Sequence, residues 1–431
     1  MKINYKNILF TGAFLCLALG LAYGEFKFPP PEFETNYVMP VMQKPPARPE
    51  WLAYLDILLL VGVILLSAWA SLKRRSRNII ILISMFSLFY FGFYKEGCIC
   101  PIGAVQDVAL ALTNPQYYMP FSAVLIFIIP LTSALFFGRA YCGGACPHGA
   151  LQDLLLLKEI KIPRWLDRSL SMIAYIYLGL AVLFAVTDSA FLICKYDPFV
   201  PFFRLTGPFY MFITGGIFVL LSLFIGRPYC RFICPYGALL KPLSLVSREK
   251  VTITPGKCIV CNLCEDSCPF GAINKPEKPA KRKLKNGIFI PLMFILALLA
   301  GGFLGNYTGG FCASYNKDIK MAKEIHAYNE GKLESGSLSD YALEYLKGGE
   351  SSELIYNRAA GIRNKFKTGG AVLGVWVIFV MGLQLLYSVR KPKREIYEPD
   401  GARCLSCGRC FMDCPIERQE LIKKDGQRDK K

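Results

Sequence analysis

Seven apolar stretches, each near or beyond the length that crosses about 30 Å of hydrocarbon, constrain this chain more than any other feature. They cover residues 51–72, 78–94, 118–137, 170–190, 208–226, 287–305 and 369–389. A lone strand in lipid would leave its amides and carbonyls unpaired, so each stretch reads as a helix. The expected fold class is therefore a membrane α-helical bundle of seven spans. With 53% apolar and only 19% charged residues, the composition excludes an ordinary soluble domain.

Orientation follows from the basic residues, because Lys and Arg in short loops stay on the cytoplasmic side. Lys73, Arg74, Arg75 and Arg77 follow the first stretch, and Lys158, Lys161, Arg164 and Arg168 follow the third. A basic run occupies 227–285, and Arg390, Lys391, Lys393 and Arg394 follow the seventh. The five-span core 51–247 thus places these ends, and the carboxyl terminus, in the cytoplasm of a bacterial inner membrane. Residues 306–368 form an expected extracytoplasmic helical loop. The net charge of +18 is mostly this asymmetry, so no nucleic-acid partner is expected. Residues 1–24, with Lys2 and Lys6 before an apolar run, fit a signal peptide or an anchor helix. Either leaves the Pro-rich segment 25–50 outside.

Against this background the 17 cysteines carry the chemistry. Two segments repeat the spacing C-x-x-C-x-x-C-x-x-x-C-P, one at Cys258, Cys261, Cys264 and Cys268, the other at Cys404, Cys407, Cys410 and Cys414. In bacterial two-cluster ferredoxins three such thiolates hold one [4Fe–4S] cubane, and the fourth, before proline, ligates the other. Two clusters are expected: one on Cys258, Cys261, Cys264 and Cys414, the other on Cys404, Cys407, Cys410 and Cys268. Zinc ribbons compete for four thiolates, but they generally separate two C-x-x-C pairs by a long knuckle and need no trailing proline. Neither half, 248–286 or 390–431, is long enough to bury a core alone. Together they should form one split cytoplasmic ferredoxin-like domain, stapled by the crossing ligands, although span 287–305, the outer loop and span 369–389 intervene.

A shorter theme, Cys-Pro-x-Gly-Ala, recurs at Cys100, Cys146, Cys234 and Cys268. Two copies extend backwards as Gly-Arg-x-Tyr-Cys-x-x-x-Cys-Pro, giving Cys142 with Cys146 and Cys230 with Cys234. The topology sets these four at cytoplasmic helix ends, as an expected inner metal or redox site. Cys98, Cys100, Cys194 and Cys312 fall at outer ends, where a second metal or redox station and disulfides such as Cys194 with Cys312 compete. His148 takes the place of Ile102 and Tyr236 in other copies, which favours a packing role. No C-x-x-C-H occurs, so c-type haem is not expected. Gly370 and Gly374 should let a neighbouring helix approach closely.

These residues resemble the polytopic membrane polyferredoxins of the NosR, NapH and PceC type. The similarity runs from about residue 51 to 415. It rests on the paired C-x-x-x-C-P motifs, Cys194-Lys-Tyr-Asp-Pro-Phe, and the ferredoxin cysteines. The resemblance implies an inner-membrane iron–sulfur protein passing electrons between a cytoplasmic or quinol-side donor and an extracytoplasmic redox partner. An assembly or regulatory factor for a respiratory metalloenzyme is the alternative. No Ser-Gly-Ala-Thr attachment site or large flavin domain of the full-length NosR type is found here. Covalent FMN is thus not expected, whereas a separate flavoprotein partner is compatible. No catalytic residue is assigned; quinol oxidation would need a pocket that the sequence does not reveal.

Overall fold

The computed structural model describes residues 49–97, 99–253, 258–276, 289–334, 337–349, 351–389 and 394–416. The expectations for 1–24, for the Pro-rich segment up to residue 48 and for Cys98 lie outside the described residues.

The first half of the chain builds a bundle. Helix α1 (Glu50–Leu72) is followed by α2 (Arg77–Ser87), which runs on as a π-helical segment, Leu88–Tyr94. Next come α3 (Pro101–Thr113), α4 (Phe121–Phe137), a π turn at Tyr141–Ala145, α5 (Pro147–Leu155) and α6 (Arg164–Val186). Short helices α7 (Leu192–Tyr196) and α8 (Val200–Arg204) lead to α9 (Phe209–Ser222), α10 (Pro228–Phe232) and α11 (Pro235–Leu245).

Among the described residues, five helical segments are long and apolar enough to cross a membrane: Trp51–Leu72, Arg77–Tyr94, Arg164–Val186, Pro291–Tyr315 and Ser352–Leu386. The stretches expected as spans at 118–137 and 208–226 are also helical, but α4 has 17 residues and α9 only 14. Both fall short of the roughly 20 residues that cross a bilayer. Their bounds have local causes. Pro120 and Pro208 fix the starts, and Gly138, at φ 62°, ends α4 in a conformation that glycine tolerates. Past α9 the backbone turns aside, so that the carbonyls of Leu223 and Phe224 accept from Leu157, Lys158 and Ile160.

Helices α3, α5 and α11 are half-helices of 13, 9 and 11 residues. Each begins directly after a cysteine, Cys100, Cys146 or Cys234, with proline in its first turn, where no amide is needed. The bundle core around these starts contains Leu60, Phe91, Tyr141, Phe199, Phe203 and Tyr236, all nearly fully buried. At one end of α1, Asp56 accepts from the Tyr90 hydroxyl at 2.7 Å and pairs with Lys95 at 2.8 Å, so this buried carboxylate is fully engaged.

The second half adds α12 (Leu263–Asp266), β1 (Ile273–Asn274), α13 (Phe289–Cys312), α14 (Lys317–Asn329), α15 (Asp340–Lys347), α16 (Ser352–Val389), β2 (Glu398–Pro399) and α17 (Arg409–Asp413). Gly370 and Gly374 do meet a neighbour, α13, through its own row Gly301, Gly305 and Gly309. A Cβ at Gly309 would lie 3.1 Å from the Gly370 Cα, and one at Gly374 would lie 3.1 Å from the Gly305 Cα. Only glycine on both sides permits that crossing.

Candidate metal centre

The two segments that carry the cysteine motifs come together although more than a hundred residues separate them. Strands β1 and β2 pair antiparallel, with Ile273 opposite Pro399 and Asn274 opposite Glu398. The Asp400 amide donates to the Ala272 carbonyl at 2.6 Å and the Tyr397 hydroxyl to Asn262 at 2.9 Å. Two cavities result. One is lined by Cys258, Cys261, Cys264 and Cys414 with Ile253, Tyr397 and Pro415, and encloses about 320 Å³, mouth included. The other is lined by Cys268, Cys404, Cys407 and Cys410 with Phe270 and Leu405, and encloses about 370 Å³. In each, three cysteines come from one half and the fourth from the other.

The loops around the cavities share one backbone geometry. Val260 and Asn262 in the first half, and Ser406 and Gly408 in the second, occupy the left-handed region, at φ 56°, 67°, 53° and 75°. Each pair flanks the second cysteine of its motif. Such conformations cost non-glycine residues about 1–3 kcal/mol, so their exact recurrence in position marks a shape that the site requires.

Burial pushes the Cys404 thiol up to about 12, and the Cys264 and Cys268 thiols to about 11. Thiolates at these places need a compensating positive charge, which an iron core supplies on binding. Among the described residues no group of three His, Cys, Asp or Glu side chains is spaced for a single metal ion. Each cavity gathers four cysteine side chains, the donor set of a [4Fe–4S] cubane. The residues therefore fit the group that the spacing implies.

Charged pairs tie this domain to the bundle. Asp153, at the end of α5, meets Arg77 at 2.5 Å, Arg409 at 3.3 Å and Arg227 at 3.4 Å. Burial alone would raise its pKa, but the three guanidiniums outweigh burial and hold the carboxyl well below the usual range. Arg77 also donates to the Cys407 carbonyl at 2.8 Å, and Arg139 to the Ala402 carbonyl at 3.2 Å. Asp167 pairs with Arg231 at 2.5 Å and Arg403 at 3.2 Å, while Arg231 donates to the Pro269 carbonyl at 3.1 Å. The helix ends rich in Lys and Arg thus face the cysteine motifs.

The inner quartet is brought into one region. Cys146, Cys230 and Cys234 are buried in the bundle core, and Cys142 packs against them. Cys142 also reaches the cluster of Phe270, Leu405 and Cys407, so it touches the wall of the second cavity as well. Gly143 makes this approach feasible, since a Cβ there would lie 2.8 Å from the Leu405 carbonyl oxygen.

Of the outer quartet, the described members Cys100, Cys194 and Cys312 fall in three different surroundings. Cys100 packs against the same core as Cys146. Cys194 is exposed beside Gly103, and Cys312 belongs to a separate apolar cluster with Leu183, Phe184 and Phe366. Cys194 and Cys312 are free thiols, so the disulfide considered between them is not formed. Cys100 departs from expectation because it starts a half-helix inside the bundle, whereas the topology argument set every stretch end at a membrane face.

His148 is 2% exposed and stacks on Tyr229, with Phe199 and Phe203 edge-on. This is the packing environment expected for it, yet its Nε2 also lies 3.4 Å from Asp197. Sequence reasoning missed the arginine–aspartate contacts and two glutamines. A signal existed: Cys-Pro-x-Gly-Ala continues as Val-Gln106-Asp107 after Cys100 and Leu-Gln152-Asp153 after Cys146.

Parts of this chain are similar to known proteins. A family described as a 4Fe-4S binding domain matches residues 97–114, 119–170 and 206–254, and a second family of the same description matches 251–274. The chain therefore carries 4Fe–4S-binding segments in both the bundle and the first ferredoxin half. The uncharacterized protein MJ0750 of Methanocaldococcus jannaschii is 30% identical over 179 residues, which are 41% of this chain and 75% of MJ0750. The chain belongs to the family of MJ0750. "Putative electron transport protein YccM" of Escherichia coli (strain K12) is 32% identical over 117 residues, 25% of this chain. The chain spans 32% of the length of YccM. No solved structure matches.

Proposed function

We propose that this chain is an inner-membrane iron–sulfur carrier of seven passes, with its carboxyl terminus in the cytoplasm, that moves electrons between a cytoplasmic or quinol-side donor and an extracytoplasmic redox partner. The observation that carries the reading is the pair of four-cysteine cavities, each closed by a cysteine from the opposite half and fastened by arginines to the bundle. Bound [4Fe–4S] clusters supply one-electron chemistry without a substrate pocket. In this reading Cys258, Cys261, Cys264 and Cys414 hold one cluster and Cys268, Cys404, Cys407 and Cys410 the other. Asp153 and Asp167 keep the second cavity against the helix ends, and Cys142 stands between that cavity and the bundle core. The similarity to YccM, named for electron transport, supports the same reading. A separate flavoprotein is a compatible partner. The seven-pass topology adds α4 and α9 to the five long helices, with neighbouring half-helices completing the passage.

The test is turnover. Chemically reduced protein should be re-oxidised by an extracytoplasmic partner that co-purifies in mild detergent. If the partner leaves the clusters reduced, while loss of the chain blocks maturation of a respiratory metalloenzyme without changing the assembled enzyme, the assembly-factor reading takes its place.

A further inference from the structure

The copies of the long repeat that begin at Gly138 and Gly226 pack reciprocally, each arginine lying on the other copy's glycine. A Cβ at Gly149 would stand 2.9 Å from the Arg227 Nη1 and 3.2 Å from the Cys142 carbonyl oxygen; one at Gly237 would stand 3.4 Å from both the Arg139 Nη2 and the Cys230 carbonyl oxygen. Both arginines are buried, Arg139 at 3% exposure and Arg227 at 0%. The exchange is reciprocal in shape but not in charge.

Seven residues after Cys146 the chain has Asp153, whose carboxylate lies 3.4 Å from Arg227. Seven residues after Cys234 it has Lys241. Arg139 therefore faces a cation where Arg227 faces a carboxylate, and the two positive charges repel. Asp167, the acid that acts on Lys241, is already shared by Arg231 and Arg403. Arg139 itself donates to the Ala402 carbonyl at 3.2 Å and to the Cys142 sulfur at 3.8 Å, and its Nε has no hydrogen-bond partner. Among the described residues no carboxylate pairs with it. A buried guanidinium without a counter-charge is costly, so a negative group should share its space.

What lies there is sulfur. Arg139 acts electrostatically on Cys142 and Cys404. It also lines one hollow together with Cys404 and Ser406, which on their other side line the second four-cysteine cavity. Among the described residues no charged side chain lines the first cavity.

We propose that Arg139 is a positioning residue for electron transfer: acting through Cys404, its unmatched charge stabilises the electron added at the second four-cysteine site. The inference rests on the carrier reading, in which that site takes one electron from a reduced donor, oxidising the donor, and passes it on with no proton moved. Each electron adds one negative charge behind the thiolates, so a fixed cation beside Cys404 favours the reduced form, net charge being one of the levers on such potentials. Arg77, Arg227 and Arg409 carry less of this effect, because they share Asp153.

Redox titration followed by low-temperature EPR, on the full chain purified anaerobically in detergent, tests the role. Cys258→Ala identifies the second signal by removing the first. In Arg139→Gln the electron affinity of the second site should fall about tenfold, a shift of about 59 mV for one electron, with iron content and first-site potential unchanged. Arg139→Lys, which keeps a cation, should stay close to the parent. An unchanged second-site potential in iron-replete Arg139→Gln, or equal shifts at both sites, would overturn the role and leave the carrier reading standing. If Arg139→Gln fails to accumulate, Arg139→Lys decides: a second-site potential near that of the parent supports the charge, and a fall despite the retained charge overturns it. Iron-free parent protein would remove the carrier reading and this role together.

Discussion

The side-chain amide of Gln152 donates to the Cys230 sulfur at 3.3 Å while its oxygen accepts from the Tyr229 amide at 3.0 Å. Gln106, at the same place in the first copy of the repeat, accepts from the Ile193 amide at 2.7 Å and so fixes the residue before Cys194. Each glutamine thus anchors the backbone just ahead of a distant cysteine. The repeat in sequence is a repeat in how the bundle is locked.

Replacing Gln152 by Ala should leave a buried amide without an acceptor, at about 1–3 kcal/mol. Thermal unfolding in detergent should show a lowered midpoint for Gln152→Ala, whereas Thr132→Ala, whose hydroxyl bonds only within its own helix at an exposed position, should leave it nearly unchanged. Equal midpoints for Gln152→Ala and the parent would remove the anchoring role.

Asp153 should act as the clamp between bundle and ferredoxin-like domain. Asp153→Asn leaves Arg77, Arg227 and Arg409 facing each other without their shared carboxylate, and breaking a buried pair costs about 3–5 kcal/mol. Limited proteolysis of the carboxyl-terminal half should accelerate. The pH dependence follows from the lowered pKa of Asp153. Its contribution is complete above the unfolded carboxyl value of about 3.9 and is lost only as pH falls through the lower folded value. The stability gap between parent and Asp153→Asn should therefore stay constant from about pH 8 down to about pH 5. A gap that closed within this range would contradict the clamp.

The crossing of α13 and α16 should tolerate no larger side chain. Gly305→Leu and Gly374→Leu each place a side chain against the partner backbone, with overpacking that costs about 1–3 kcal/mol or more. Both variants should unfold at lower temperature than Gly310→Leu, which meets only the flexible Lys367 side chain.

Much of the site was legible because ligand spacing is a covalent property of the chain. The two cysteine motifs specified which four thiols share each cavity before any helix was known, and Gly370 with Gly374 marked a close crossing. Their partners on α13, Gly301, Gly305 and Gly309, emerged only from the structure, although they recur every fourth residue. What escaped depends on three-dimensional closure. Arg77, Arg227 and Arg409 converge on Asp153 from segments far apart, so no local pattern announces them. Cys100 was set at the outer face because hydropathy treats the end of an apolar stretch as a membrane boundary. A proline-started half-helix breaks that equivalence, and α4 and α9 fell short of full spans for a related reason, since proline and glycine cut their ends.

Crossed ligation is the central claim, and Cys414→Ala tests it most directly. Anaerobically purified parent protein should hold at least about eight irons per chain. In Cys414→Ala the EPR signal of the site formed by Cys258, Cys261 and Cys264 should be altered or lost, while that of Cys268, Cys404, Cys407 and Cys410 persists, because Cys414 lines the first cavity and not the second. Loss confined to the Cys404, Cys407 and Cys410 site would contradict the account.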